Sequence, residues 1–177
     1  MQTYAGIGSR SITDKESKTI EKIASKLSKN FVLFSGNAQG SDQSFQSGSN
    51  GNCVLFLPWA GFEEQNFDFL KVLDVFDLGK SPEGMESVRK YHPNKNLTYG
   101  QKLMMSRNYH QIIGYKKYPK VSFVVYCANE DEKGNIEGGT GQAIRIARAH
   151  NIPTINIRIS GWQKKLTEIL KLLKEKA

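Results

Sequence analysis

The sequence has few of the features that mark a membrane, secreted or zinc-binding protein. Only two of its 177 residues are cysteine, Cys53 and Cys127. No apolar run approaches the ~20 residues of a membrane span, and the first residues lack the basic-then-apolar layout of a signal peptide. Because two cysteines make neither a disulfide framework nor a zinc set, we expect buried free thiols, no metal site and a cytoplasmic protein.

Positive charge is in excess, but it is not clustered. The chain has 25 Lys and Arg against 17 Asp and Glu, a formal net charge of +8. The densest basic segment, 158–177, also has the pattern of an amphipathic helix. Proteins that bind nucleic acid usually cluster their cations. The even spread of charge therefore favours a small phosphorylated ligand, and nucleic acid stays an alternative partner.

Apolar strands alternate with helices along the chain. We predict strands at 2–7, 31–34, 53–57, 75–77, 121–126 and 153–157. We predict helices at 41–48, 63–73, 83–91, 97–113, 138–149 and 162–173, with a first helix opened by the Thr13–Glu16 capping-box spacing. This alternation predicts an α/β fold, one Rossmann-like domain over 1–177 with a mainly parallel sheet and helices on both faces.

Three glycine-containing loops follow predicted strands, and ligands of such sheets bind beyond the carboxyl ends of the strands. In the first loop, Gly8 lets the backbone approach a ligand closely, Ser9 offers a hydroxyl and Arg10 is a bidentate phosphate donor. Taken alone, this loop is a weak signal, because a glycine turn after a strand is common without any ligand.

The other two loops each precede a helix, whose free N–H groups attract anions. In the loop 35–42, Asp42 either caps the helix or holds a ribose hydroxyl. In the loop 137–142, Thr140 is either a cap or a phosphate donor, and Glu137 is expected beside the bound group. Neither loop is a Walker A sequence, and the first turn lacks the dinucleotide fingerprint.

These motifs carry a resemblance to a known family. The order GIGSR then SGNAQGSD, at 6–10 and 35–42, resembles the DNA-processing protein A (Smf) family, as does the arginine-asparagine segment 105–114. The strand 121–126 followed by EGGT at 137–140 is similar to the wider Rossmann-like SLOG superfamily, which includes the Lonely Guy phosphoribohydrolases. The resemblance covers about 2–157. The small, single-domain form of this chain is similar to SLOG proteins encoded by phages or mobile elements.

The resemblance implies a nucleotide-type ligand across the two glycine loops, in a bacterial or phage-infected host cell. The matched positions are Gly36, Ala38, Gly40 and Asp42, then Gly138, Gly139 and Thr140, and the pair Arg107 and Asn108. Two departures stand out. Gln39 replaces the arginine that the DNA-binding family usually carries, and no glutamate lies in the helix after Gly141.

Three functions follow as hypotheses. The main one is a binder or sensor of a nucleotide-type small molecule, without a further cofactor, in which Asn108 and Glu137 hold sugar hydroxyls. Its ligand-binding residues are Gly8, Ser9, Arg10, Ser35, Gly36, Asn37, Ala38, Gly40, Asp42, Arg107, Asn108, Gly138, Gly139 and Thr140. The alternatives are a nucleotide N-glycosidase, in which Glu137 stabilises the cationic sugar or activates water, and a single-stranded DNA-binding protein. No membrane partner is predicted, and a homo-oligomer is compatible with the sequence.

Overall fold

The computed structural model describes residues 1–64 and 71–175, which form a parallel six-stranded sheet between helices. The strands are β1 (Gln2–Gly8), β2 (Phe31–Ser35), β3 (Cys53–Leu57), β4 (Asp74–Asp77), β5 (Phe123–Cys127) and β6 (Thr154–Asn156). The helices are α1 (Asp14–Leu27), α2 (Ser41–Gly48), α3 (Pro82–Tyr91), α4 (Tyr99–Ile113), α5 (Gly138–Ala149) and α6 (Trp162–Glu175).

The strand order creates a crevice beside β1. The order is β4-β3-β2-β1-β5-β6, and every neighbouring pair is parallel. The chain first moves outward from β1 to β4. It then crosses back through α3 and α4 to place β5 on the other side of β1. The order therefore reverses between β1 and β5, where open α/β sheets bind their ligands.

The central strands are buried along their whole length because helices cover both faces of the sheet. Alternate side chains enter opposite cores. Phe34 and Val124 join the core that includes side chains of α4 and α5. Leu33 and Phe123 join the core that includes side chains of α1 and α6. The predicted Rossmann-like α/β class is confirmed.

Most differences from the predicted elements lie at their ends. Helix α4 begins at Tyr99 rather than at 97 because Thr98 and Gln101 form a capping box. The predicted helix 63–73 falls largely on 65–70, outside the described residues. Both cysteines are free and buried, as expected. Within the described ranges, no helix is long and apolar enough to span a membrane.

Candidate phosphate-binding cleft

A cleft of about 450 Å³ lies beside β1, between the turn after that strand, the loop before α2, one face of α4 and the first turn of α5. It brings together most of the predicted site residues, although they are far apart in sequence. Its lining residues are Ile7, Gly8, Ser9, Arg10, Ala38, Asp42, Met104, Met105, Arg107, Asn108, Gln111, Glu137, Gly138, Gly139, Thr140 and Ala143.

The first turn of α5 presents free backbone donors to the cleft. Glu137 holds the N-cap position with extended backbone and no capping side-chain bond, and Gly141 N donates to the Glu137 carbonyl at 3.2 Å. The N–H groups of Gly138, Gly139 and Thr140 have no acceptor within the described chain. Thr140 is the third helical residue, so it is not the cap. A helix start of this kind favours an anion.

Arg107 is a buried cation beneath the cleft. Its Nη1 donates to the Gly36 carbonyl at 2.5 Å and to the Phe56 carbonyl at 2.7 Å. Its guanidinium carbon lies 5.6 Å from the centre of the Phe62 ring, a cation–π geometry. Burial lowers the pKa of Arg107 to about 10, so the side chain is charged at neutral pH.

Asn108 ties α4 to the first turn of α5. Its Oδ1 accepts from Arg107 Nε at 2.7 Å, and its Nδ2 donates to the Gly139 carbonyl at 2.9 Å. Both amide atoms therefore have protein partners. The role expected for Asn108, holding a sugar hydroxyl, would have to use its remaining hydrogen-bonding capacity.

Asp42 organises the loop before α2 instead of capping that helix. Gly40 holds the N-cap position, and Asp42 Oδ2 accepts from the backbone N–H groups of Gly36 and Ala38, both at 3.2 Å. Burial raises the pKa of Asp42 to about 6, and nearby Arg107 partly opposes that rise. The interpretation of Asp42 as a helix cap was wrong, because its side chain points back at the loop.

A second cation, Arg10, is held at the rim by an acidic side chain. Arg10 Nη1 and Glu63 Oε1 are 2.8 Å apart, and Glu63 Oε2 accepts from the Gln39 N–H at 2.8 Å. Arg10 is half exposed and also lies over the Phe62 ring at 5.9 Å. Glu63 thus occupies a position where a backbone donor and a guanidinium converge.

Some predicted ligand-binding residues do not line the cleft. They are Ser35, Gly36, Asn37 and Gly40. Asn37 is fully buried and donates to the carbonyls of residues 62 and 63. Gly40 has φ +83°, and a Cβ there would overlap the Arg10 carbonyl. These residues shape the loop. Ser9 does line the cleft, but its hydroxyl donates to the Ser11 carbonyl.

Sequence reasoning missed Glu63 and the α4 residues Met104, Met105 and Gln111. A signal existed for two of them, since Met104 and Gln111 recur on the helical face that carries Arg107 and Asn108. Within 1–64 and 71–175, no group of three or more His, Cys, Asp or Glu side chains is placed to hold a metal ion.

No protein-family model and no curated protein matches the sequence. Two solved structures are similar in fold. DNA processing protein A from Helicobacter pylori, described for its single-stranded DNA binding mode, has a TM-score of 0.62 at 18% identity, over 98% of this chain and 81% of that one. The Streptococcus pneumoniae protein has a TM-score of 0.50 at 14% identity, over 99% of this chain and 56% of that one.

At these identities the likeness is one of fold. This likeness in fold agrees with the resemblance that the loop sequences carry to the DNA-processing protein A family. The chain therefore has the Rossmann-like fold of DNA processing protein A.

Proposed function

We propose that this chain binds single-stranded DNA, with backbone phosphates held in the cleft beside β1. The observation that carries the proposal is the convergence of donors there. The unpaired N–H groups of Gly138, Gly139 and Thr140 line the same cleft as Arg107 and Arg10. Backbone N–H groups at a helix start, together with guanidinium groups, are the usual partners of phosphate oxygens.

Two further facts support a strand rather than a free nucleotide. The net charge of +8 favours association with a polyanion. The fold is that of a protein described for binding single-stranded DNA, DNA processing protein A of Helicobacter pylori. The likeness in fold is what reverses the ranking that the evenly spread charge suggested.

A free nucleotide or nucleotide derivative is the second candidate. The cleft volume of about 450 Å³ falls within the range of small-molecule sites, and apolar side chains contribute to its lining. If a free nucleotide is the ligand, nucleoside monophosphates should displace DNA when their concentration is similar to the concentration of DNA phosphates. If single-stranded DNA is the ligand, a long strand outcompetes the monomers by orders of magnitude because it makes several contacts at once.

The test measures fluorescence anisotropy of a labelled single-stranded oligonucleotide over a range of salt concentrations. We expect affinity to fall linearly on a log–log plot, because each phosphate contact releases counterions. Arg10→Ala should reduce the slope by about 0.7, the value for one single-strand phosphate contact.

The matched control is Arg148→Ala. Arg148 is also an exposed arginine paired with a glutamate, 3.7 Å from Glu130, but it does not line the cleft. We expect Arg148→Ala to leave the slope unchanged. Equal effects of the two substitutions would show that the cleft is not the DNA-binding site. Binding by the unmodified protein that is absent or insensitive to salt would contradict DNA binding itself.

A further inference from the structure

We propose that Gln111 reads the edge of the nucleobase whose phosphate is bound in the cleft. This inference rests on the proposed function and assigns a specificity role to one side chain. Gln111 lies on α4, lines the cleft and is 2% exposed. Its Nε2 has no hydrogen-bond partner within the described chain.

A buried amide without a partner is costly to the fold. Leaving a buried donor unsatisfied loses its hydration without replacement, so such groups are rare and call for an explanation. Asn108, one turn earlier on the same face of α4, provides an internal contrast, because both of its amide atoms have protein partners. On this face of α4, Gln111 is therefore the amide whose donor nitrogen has no partner within the described residues.

The surroundings favour a base over a phosphate. The phosphate donors of the cleft are cations and backbone N–H groups, whereas the lining also contains the apolar residues Ile7, Met104 and Ala143. A base presents an apolar face and an edge with adjacent donor and acceptor atoms. A primary amide offers one donor and one acceptor side by side, which matches such an edge.

The test compares two probes of equal length and charge: an oligonucleotide, and an oligomer of abasic deoxyribose phosphates. The unmodified protein should bind the base-bearing strand at least about fivefold more tightly, the lower end of what one good amide–base pair provides. Gln111→Met should bring this ratio towards one and leave the affinity for the abasic strand unchanged. Gln111→Asn, which keeps the amide but shortens its reach, should lower the ratio as well.

Gln163→Met is the control, since Gln163 is exposed on α6. It should change neither affinity. Gln111→Met should also raise the thermal midpoint of the free protein, because it removes an unsatisfied buried amide. A ratio of one in the unmodified protein, or an unchanged ratio in both Gln111 variants, overturns this inference and leaves DNA binding intact. Failure of the unmodified protein to bind either strand overturns the proposed function itself.

Discussion

The guanidinium of Arg107 occupies the space that a side chain at position 36 would fill. Arg107 Nη1 donates to the Gly36 carbonyl at 2.5 Å, and a Cβ built on Gly36 would overlap that nitrogen. The glycine of the loop before α2 and the arginine of α4 are thus one structural unit. Gly36 does not itself line the cleft. It contributes to the site because the absence of a side chain leaves room for the Arg107 guanidinium.

Gly36→Ala should displace Arg107 and weaken both the fold and DNA binding. Forcing a methyl group into this buried contact should cost about 2 kcal/mol of unfolding free energy, measured by urea denaturation. Gly100→Ala is the control, because a Cβ at that helical position meets nothing within 4 Å. Equal stability of the two variants would show that Arg107 can leave its position freely.

DNA binding should strengthen as the pH falls through the pKa of Asp42. Burial raises that pKa to about 6, so the carboxyl is ionised at pH 7.5 and neutral at pH 5. Protonation removes a negative charge beside Arg107, while phosphodiesters keep theirs. Anisotropy titrations from pH 7.5 to 5 should show this gain in the unmodified protein. The profile of Asp42→Asn should be flatter, and identical profiles would assign the gain to other groups.

Glu63→Gln should tighten DNA binding about two- to fivefold, in line with the ~0.2–1 kcal/mol of an exposed ion pair. The substitution frees Arg10 and weakens the carboxylate contact with the Gln39 N–H. Glu130→Gln, which removes the partner of Arg148, is the matched control. Looser binding by Glu63→Gln would mean that Glu63 positions Arg10 for the ligand rather than competing with it.

Glu137→Gln separates a binding protein from a nucleotide N-glycosidase. In a binding protein, removal of this exposed carboxylate at the start of α5 should tighten binding of an anion about two- to fivefold, as expected for one charge at a helix end. In a glycosidase, the same change should abolish release of free base from nucleoside monophosphates. We expect Glu137→Gln to bind more tightly, measured by anisotropy. We expect neither the unmodified protein nor the variant to release free base, measured by chromatography.

The ion pair between Glu16 and Arg158 should contribute stability that depends on pH. Arg158 Nε donates to Glu16 Oε1 at 2.7 Å, and this bond is the main cause that lowers the pKa of Glu16 from 4.5 to about 2. Because the folded pKa is depressed, the stabilisation is present above pH 4.5 and is lost as the pH falls towards 2.

Arg158→Met should therefore cost about 1 kcal/mol at pH 7, and the difference should shrink as the pH falls from 4.5 through the Glu16 pKa of about 2. Urea denaturation of both proteins across this range measures it. A difference that is constant with pH would mean that Arg158 stabilises the protein through packing and its bond to the Ser11 carbonyl.

Local sequence pattern is enough to predict the strands of the sheet and the loops that follow them. Continuous apolar runs such as 53–57 indicate strands buried on both faces, and capping signals such as Thr13 mark helix starts. Because parallel strands end at the same edge, the loops that follow them lie along that one edge of the sheet. The adjacency of β2, β1 and β5 then brings these three loops together. Most of the residues predicted in these loops therefore line one cleft.

The contacts of each side chain in that cleft depend instead on long-range packing. Arg107 and Gly36 are 71 residues apart, and Gln39 and Glu63 are 24 apart. Their contacts depend on how α4 packs against the sheet and how the turn at 59–64 folds back on the loop before α2. Local sequence pattern does not predict these contacts, because residues distant in sequence determine which side chains are buried and which polar atoms lack a hydrogen-bond partner. The sequence pattern places Gln111 on a helix, but the packing of distant residues leaves its Nε2 without a partner among the described residues.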